Sequence, residues 1–239
     1  MHRHTPFTPL HPLVRPPTLR MTPSELSALL LLATAASFTP GPNTTLSTAL
    51  AANRGLRGSL HFVCAVPVGW TLLLLLCAAG LGSLVVGMPL LRWGILGTGL
   101  GYLLWLAWRL ARTRTLAEAD ASRLDVSFWQ GVGLQFVNIK AWMLALAIVA
   151  GWIAGRPDAA SRTLQVLPLM AAFAFFSNLT YALVGALLRE WLAGPVTNGL
   201  PTGQRLVWFN RCMAAVLMLT AAWMLVSALA PTVPRGVAG

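Results

Sequence analysis

The chain has 239 residues, of which 56% are hydrophobic and only 10% charged. A soluble domain carries charge on about a quarter of its residues, so this one lacks the polar surface to stay folded in water. Its net charge of +11 comes almost wholly from arginine. Arginines set between apolar runs suit anionic headgroups and the positive-inside rule, which sets nucleic acid aside as a partner.

Residues Met1 to Arg20 hold five prolines and three histidines with no apolar core. That is neither a signal peptide nor a span. The favoured reading makes 1–22 a disordered or non-native leader, with Met21 as the native start. His2 and His4 form an HxH with no further ligands nearby, so no metal is assigned and no cofactor is expected. The three cysteines, Cys64, Cys77 and Cys212, show no metal-type spacing and read as small packing residues.

A spanning helix needs about 20 mostly apolar residues. Six runs meet that: Ser24–Ala52, Gly58–Val86, Pro89–Ala111, Phe128–Ala154, Thr163–Leu188 and Arg205–Leu229. The first is too long for one straight helix and contains Pro40-Gly41-Pro42. Proline removes a backbone donor, so the helix breaks or kinks there.

A polar linker, 113–127, carries Arg114, Arg123, Glu118, Asp120 and Asp125. It divides one membrane domain, 23–239, into halves 23–112 and 128–230 of three spans each. Three is odd, so two similar halves would lie inverted in the bilayer, a common transporter architecture. The expected fold is therefore all-α, about six transmembrane helices arranged as two inverted three-helix repeats. Asn43 behind the first break and Asn138 with Lys140 in the fourth run give the halves a faint match. With the N-terminus outside, nine arginines fall on the inner side. Four fall on the outer side, Arg92, Arg156, Arg162 and Arg235, so both termini are expected outside.

The stretch Ser37 to Thr45 is the first feature with chemistry. Polar backbone in a bilayer must be satisfied internally or line a cavity. The half-helix after the break begins with free N–H groups beside Asn43, Thr44 and Thr45, an arrangement suited to a carboxylate. A proline hinge that only bends the helix is the competing reading, and both stay open. Lys140 is the second feature. An ammonium about a dozen residues into a span is costly and usually functional, against the alternative that it snorkels to an interface.

No aspartate or glutamate lies deep in any run, so the residues do not say how transport would be energised. Glu25 reads as helix-start electrostatics. HExxH, GxSxG and P-loop motifs are missing, and His61 reads as a loop-proximal helix residue. The chain is therefore not expected to be an enzyme.

Thr39-Pro40-Gly41-Pro42-Asn43, followed by Arg54-Gly55-Leu56-Arg57-Gly58, resembles the opening of the LysE/RhtB amino-acid exporters. Further matches are Leu96-Gly97 through Gly101-Tyr102-Leu103 to Arg109, Gly131 through Asn138 and Lys140, and Asn210-Arg211. The resemblance covers nearly the whole chain after Met21. It implies an inner-membrane exporter of amino acids or derivatives, moving substrate from cytoplasm to periplasm by alternating access. Pro40, Gly41 and Pro42 would break the first span, Asn43 and Thr44 would offer donors to the substrate carboxylate, and Asn138 and Lys140 would form the opposing wall.

Where the family commonly reads Asn-Pro-Lys, this chain has Asn138-Ile139-Lys140. The restored N–H of Ile139 leads one to expect a less sharply interrupted second half-helix. Ala214 stands where the family often has glycine. The expected partners are a small-molecule substrate and membrane lipids, with homo-oligomerisation left open. A transporter or channel for a cation or metal, or a non-catalytic membrane subunit, is the alternative.

Overall fold

The structure is a computed structural model and describes residues 21–113, 125–197, 200–201 and 203–229. The leader from Met1 to Arg20 lies outside the described residues, as do Arg114, Glu118, Asp120 and Arg123 of the linker. Met21 and Thr22, read with the leader from sequence, are tied into the fold. The Met21 N–H donates to Gln165 Oε1 at 3.3 Å, and Thr22 caps the first helix.

Helix α1 (Pro23–Phe38) opens with a capping box. Thr22 Oγ1 accepts from the Glu25 N–H at 3.3 Å, and the Glu25 carboxylate accepts from the Thr22 N–H at 2.9 Å. It stops at Phe38, ahead of the proline break expected from sequence, and α2 (Pro42–Ala78) restarts with proline at its first position. A straight helix of the 37 residues in α2 would run about 55 Å. The chain instead doubles back at Gly55, where φ 77° and ψ 169° lie in a region that essentially only glycine adopts. Val66 and Trp70 thereby come alongside Pro42–Thr44.

The run expected over Gly58–Val86 is not one helix. It ends at Ala78, turns through Gly80 at φ 93°, and continues as the short α3 (Leu81–Gly87). Helix α4 (Pro89–Arg112) follows. Helix α5 (Phe128–Val137) opens with a second capping box, between Ser127 and Gln130. Helix α6 (Ile139–Ile148) runs on into a π-helical turn, Val149–Ile153. Helices α7 (Ala159–Ala193) and α8 (Gln204–Leu229) complete the bundle, and between them Val196–Thr197 pairs with Leu200–Pro201 in a two-residue antiparallel ladder.

The described fold is thus all-helical apart from that ladder. Helices α2, α4, α7 and α8 are long and apolar enough to cross a membrane, and α5 with α6 and its π turn, bent by 68°, makes a fifth candidate. With 16 residues, α1 is too short to qualify by itself.

The surface is apolar to a degree no aqueous protein sustains. Leu90 is 86% exposed, Leu187 81% and Leu31 73%, as expected where lipid is the solvent. Polar groups go inward instead: Ser47, Gln135 and Asn210 are fully buried. Of the cysteines, Cys77 packs in the interior, whereas Cys64 and Cys212 are exposed and so are not packing residues. The principal interface joins α2 to α7. There the Thr48 carbonyl lies 2.2 Å from where a Cβ on Gly185 would stand, so the two backbones meet. Phe62, Leu96, Leu103, Leu106 and Leu217 fill the space between α2, α4 and α8.

One end of the bundle is closed by amides. Asn53 Nδ2 donates to Asn210 Oδ1 at 2.8 Å, Asn210 Nδ2 donates back at 3.0 Å, and Asn210 also reaches the Thr113 carbonyl at 3.2 Å. Arginines stack on tryptophans at the same end, Arg109 on Trp105, Arg112 on Trp108 and Arg205 on Trp191. His61 lies close by, its Nε2 at 2.7 Å from the Val126 carbonyl. At the other end, Glu25 meets Arg162 and Arg156.

Candidate functional site

Two interrupted helices face each other in the middle of the bundle. The first interruption is Thr39-Pro40-Gly41, between α1 and α2. Behind it Thr44 Oγ1 accepts from the Gly41 N–H at 3.0 Å and donates to the Gly41 carbonyl at 3.1 Å, which fastens the new helix start. The second interruption is Asn138, between α5 and α6. Its side-chain oxygen accepts from the Lys140 N–H at 3.1 Å, capping α6 in place of a proline. The Phe136 carbonyl, orphaned by the break, receives the Trp142 indole N–H at 2.8 Å. The bend of 68° overturns the expectation that Ile139 softens this break. An asparagine cap and an indole donor satisfy the backbone groups that the break exposes, so the chain bends here without a proline.

Lys140 bridges the two breaks. Its Nζ donates to the Thr39 carbonyl at 2.8 Å, the C-cap of α1, where the negative end of the helix dipole favours a cation. The stem lies across Gly41: a Cβ there would stand 3.3 Å from Nζ and 3.4 Å from Cδ. Gly41 is therefore a matter of room as much as of helix breaking. Asn43 and Gln135 join the breaks a second time. Asn43 Nδ2 donates to Gln135 Oε1 at 2.9 Å, and Gln135 Nε2 donates to Asn43 Oδ1 at 3.1 Å and to the Gly131 carbonyl at 3.2 Å.

Between the breaks is a half-open cavity of about 60 Å³, enough to admit water. Gly41, Pro42, Asn43, Thr44, Asn138 and Lys140 all line it, so six of the seven residues read from sequence come together. Pro40 does not line it and stands exposed at the break. Across the cavity are Trp70, Met170, Ser177 and Asn178. No carboxylate is among the lining residues. The starts of α2 and α6 supply backbone donors with partial positive charge, Lys140 a full charge, and the end of α1 carbonyl oxygens.

Sequence reasoning missed Gln135, Trp70 and Asn178. Gln135 and Asn178 did leave a signal, an amide inside an otherwise apolar run, which in a membrane points inward to a partner. Asn178 is held by Ser47, whose Oγ donates to Asn178 Oδ1 at 2.9 Å. Trp70 left none, because an aromatic in an apolar run looks like any other packing residue.

Comparison with known proteins identifies the family. The chain is 33% identical over 170 residues to a cysteine/O-acetylserine efflux protein of Salmonella choleraesuis strain SC-B67, covering 71% of this chain and 87% of that one. It is 32% identical over 174 residues to the protein of the same description from Escherichia coli strain K12, with the same coverage. No solved structure matches significantly. The family model described as LysE type translocator matches residues 34–228, and the chain belongs to that family, as a multi-pass membrane transporter and not an enzyme.

Proposed function

We propose that the protein exports amino acids or close derivatives across the bacterial inner membrane, from cytoplasm to periplasm, by alternating access. The observation that carries this reading is the cavity between the two broken helices. The Lys140 ammonium and two helix starts there suit a carboxylate, while the carbonyl end of α1 suits an ammonium, so the site complements a zwitterion. The relatives named for cysteine and O-acetylserine efflux point to small solutes of this kind.

The membrane arrangement belongs to the same proposal. Because α2 doubles back at Gly55, α1 with the first part of α2 makes one broken span and the rest of α2 a second. With α4, the α5–α6 pair, α7 and α8, this gives six spans as two inverted sets of three, each opening on an interrupted helix. Seven described arginines (Arg54, Arg57, Arg109, Arg112, Arg189, Arg205, Arg211) gather at the amide-closed end, against Arg92, Arg156 and Arg162 at the other. That asymmetry supports a cytoplasmic amide-closed end. Rocking of the two halves would expose the cavity to each side in turn, with Pro40, Gly41 and Pro42 forming the break, Asn43 and Thr44 the carboxylate side, and Asn138 and Lys140 the facing wall.

The test measures extracellular cysteine, O-acetylserine and other amino acids in cells overproducing the protein or its Lys140→Ala variant. Accumulation outside that depends on Lys140 is expected. No accumulation of any amino acid, with unchanged resistance to toxic analogues, would refute the export reading. A reporter fused after Gly239 that proves cytoplasmic would refute the topology.

A further inference from the structure

Helix α1 is fastened to the bundle mainly at its two ends. Only Leu29 and Ala33 of its 16 residues are buried, so little apolar contact holds it along its length. At its N-terminal end the Glu25 carboxylate takes both Arg162 Nη1 at 3.1 Å and Nη2 at 3.2 Å, in fork geometry. Arg156 Nη2 adds a contact at 3.2 Å, Arg162 Nε is turned to Asp158 at 2.9 Å, and the Trp152 indole donates to the Glu25 carbonyl at 2.9 Å. At its C-terminal end the Tyr181 hydroxyl donates to the Phe38 carbonyl at 2.9 Å and Lys140 to that of Thr39. Ala36, Ser37 and Thr39 form one wall of the cavity.

We propose that α1 is a movable gate forming one wall of the half-open cavity, latched in its inward position by the Glu25–Arg162 ion pair and hinged at Thr39–Gly41. The inference rests on the transport reading for its purpose, since a translocation cavity must open to one side. Arg162 is 6% exposed, and a guanidinium so buried is held in place by its carboxylate partners. A segment with few buried apolar contacts and end-loaded polar ties opens more readily than its surroundings. Lys140 makes the second fastening conditional. A carboxylate entering the cavity competes with the Thr39 carbonyl for the ammonium, and in taking it frees the hinged end of α1. Glu25 and Arg162 touch no substrate, and act by positioning α1.

The experiment reads cavity accessibility directly and requires no transport. Ser177, buried on the cavity wall, is replaced in a background of Cys64→Ser, Cys77→Ser and Cys212→Ser. The Ser177→Cys protein is reconstituted in lipid nanodiscs, both faces open, and its labelling by a charged thiol reagent is timed. Glu25→Gln keeps the capping box with Thr22, which accepts glutamine equally, but loses the ionic latch. It is expected to label about tenfold faster, whereas Glu190→Gln, away from the latch, labels at the parent rate. Arg162→Gln, which removes the other half of the pair, is expected to speed labelling by a similar factor, and the double variant no further than either single. Equal rates in parent and Glu25→Gln, or independent, multiplying effects of Glu25→Gln and Arg162→Gln in the double variant, would overturn the gate. Failure of the parent to release O-acetylserine from loaded proteoliposomes would instead count against the export reading, and leaves the labelling result standing.

Discussion

The reciprocal amide pair between Asn43 and Gln135 is the most direct link between the two interrupted helices, and its energetic weight can be worked out. Gln135 is fully buried. In Asn43→Ala its Oε1 loses its partner and Nε2 keeps only the Gly131 carbonyl. Stranding a buried amide in this way costs about 1–3 kcal/mol, and a midpoint of 2 kcal/mol lowers the unfolding temperature of a chain this size by about 4–8 °C. Gln135→Leu is milder. It strands Asn43 at the half-open cavity, where water replaces the lost partner at roughly 1 kcal/mol. The double variant leaves neither amide orphaned, so its loss falls short of the sum of the singles by about 1–2 kcal/mol. Thermal unfolding of the purified proteins in detergent reads all four corners of the cycle. Additivity within about 0.5 kcal/mol would refute the claim that this pair couples the breaks.

Two glycine substitutions separate backbone strain from crowding. Gly55→Ala meets no atom within 4 Å of the new Cβ, yet φ stays at 77°. The expected loss of about 1–3 kcal/mol is pure strain at the reversal of α2, seen as a lower thermal midpoint. Gly185→Ala has ordinary helical backbone but sets a Cβ 2.2 Å from the Thr48 carbonyl. It forces α2 and α7 apart at about 1–3 kcal/mol, and Gly185→Ser fares no better. Asn210→Leu leaves the Asn53 and Thr113 oxygens without their donor at the amide-closed end, an expected loss of about 2–3 kcal/mol in the same assay.

How much of the site was legible in sequence depends on the kind of residue. Pro40-Gly41-Pro42 announced its break because proline and glycine act on their own backbone, whatever surrounds them. Lys140 announced itself because a lone ammonium in an apolar run has few places to go. The second break was underestimated, since Ile139 looks like a helix continuing. Asn138 and Trp142 satisfy the backbone there through side chains that only the folded arrangement brings to the orphaned groups. The Gly58–Val86 run was misjudged for a related reason, apolar content being indifferent to the left-handed turn at Gly80. Glu25 read as a cap, and it is one. Its pairing with Arg162, 137 positions away, leaves no mark on local pattern.

Composition and periodic apolar runs determined by themselves that the chain lives in a bilayer, that it is helical, and where the first helix breaks. These follow from solvent and covalent geometry, which act residue by residue. Tertiary structure alone decided that the two breaks face each other, that Lys140 spans them to the Thr39 carbonyl, and that α1 is held chiefly at its ends. These are contacts between distant segments, whose energy depends on which buried polar groups find partners, and that choice is made only when the helices pack.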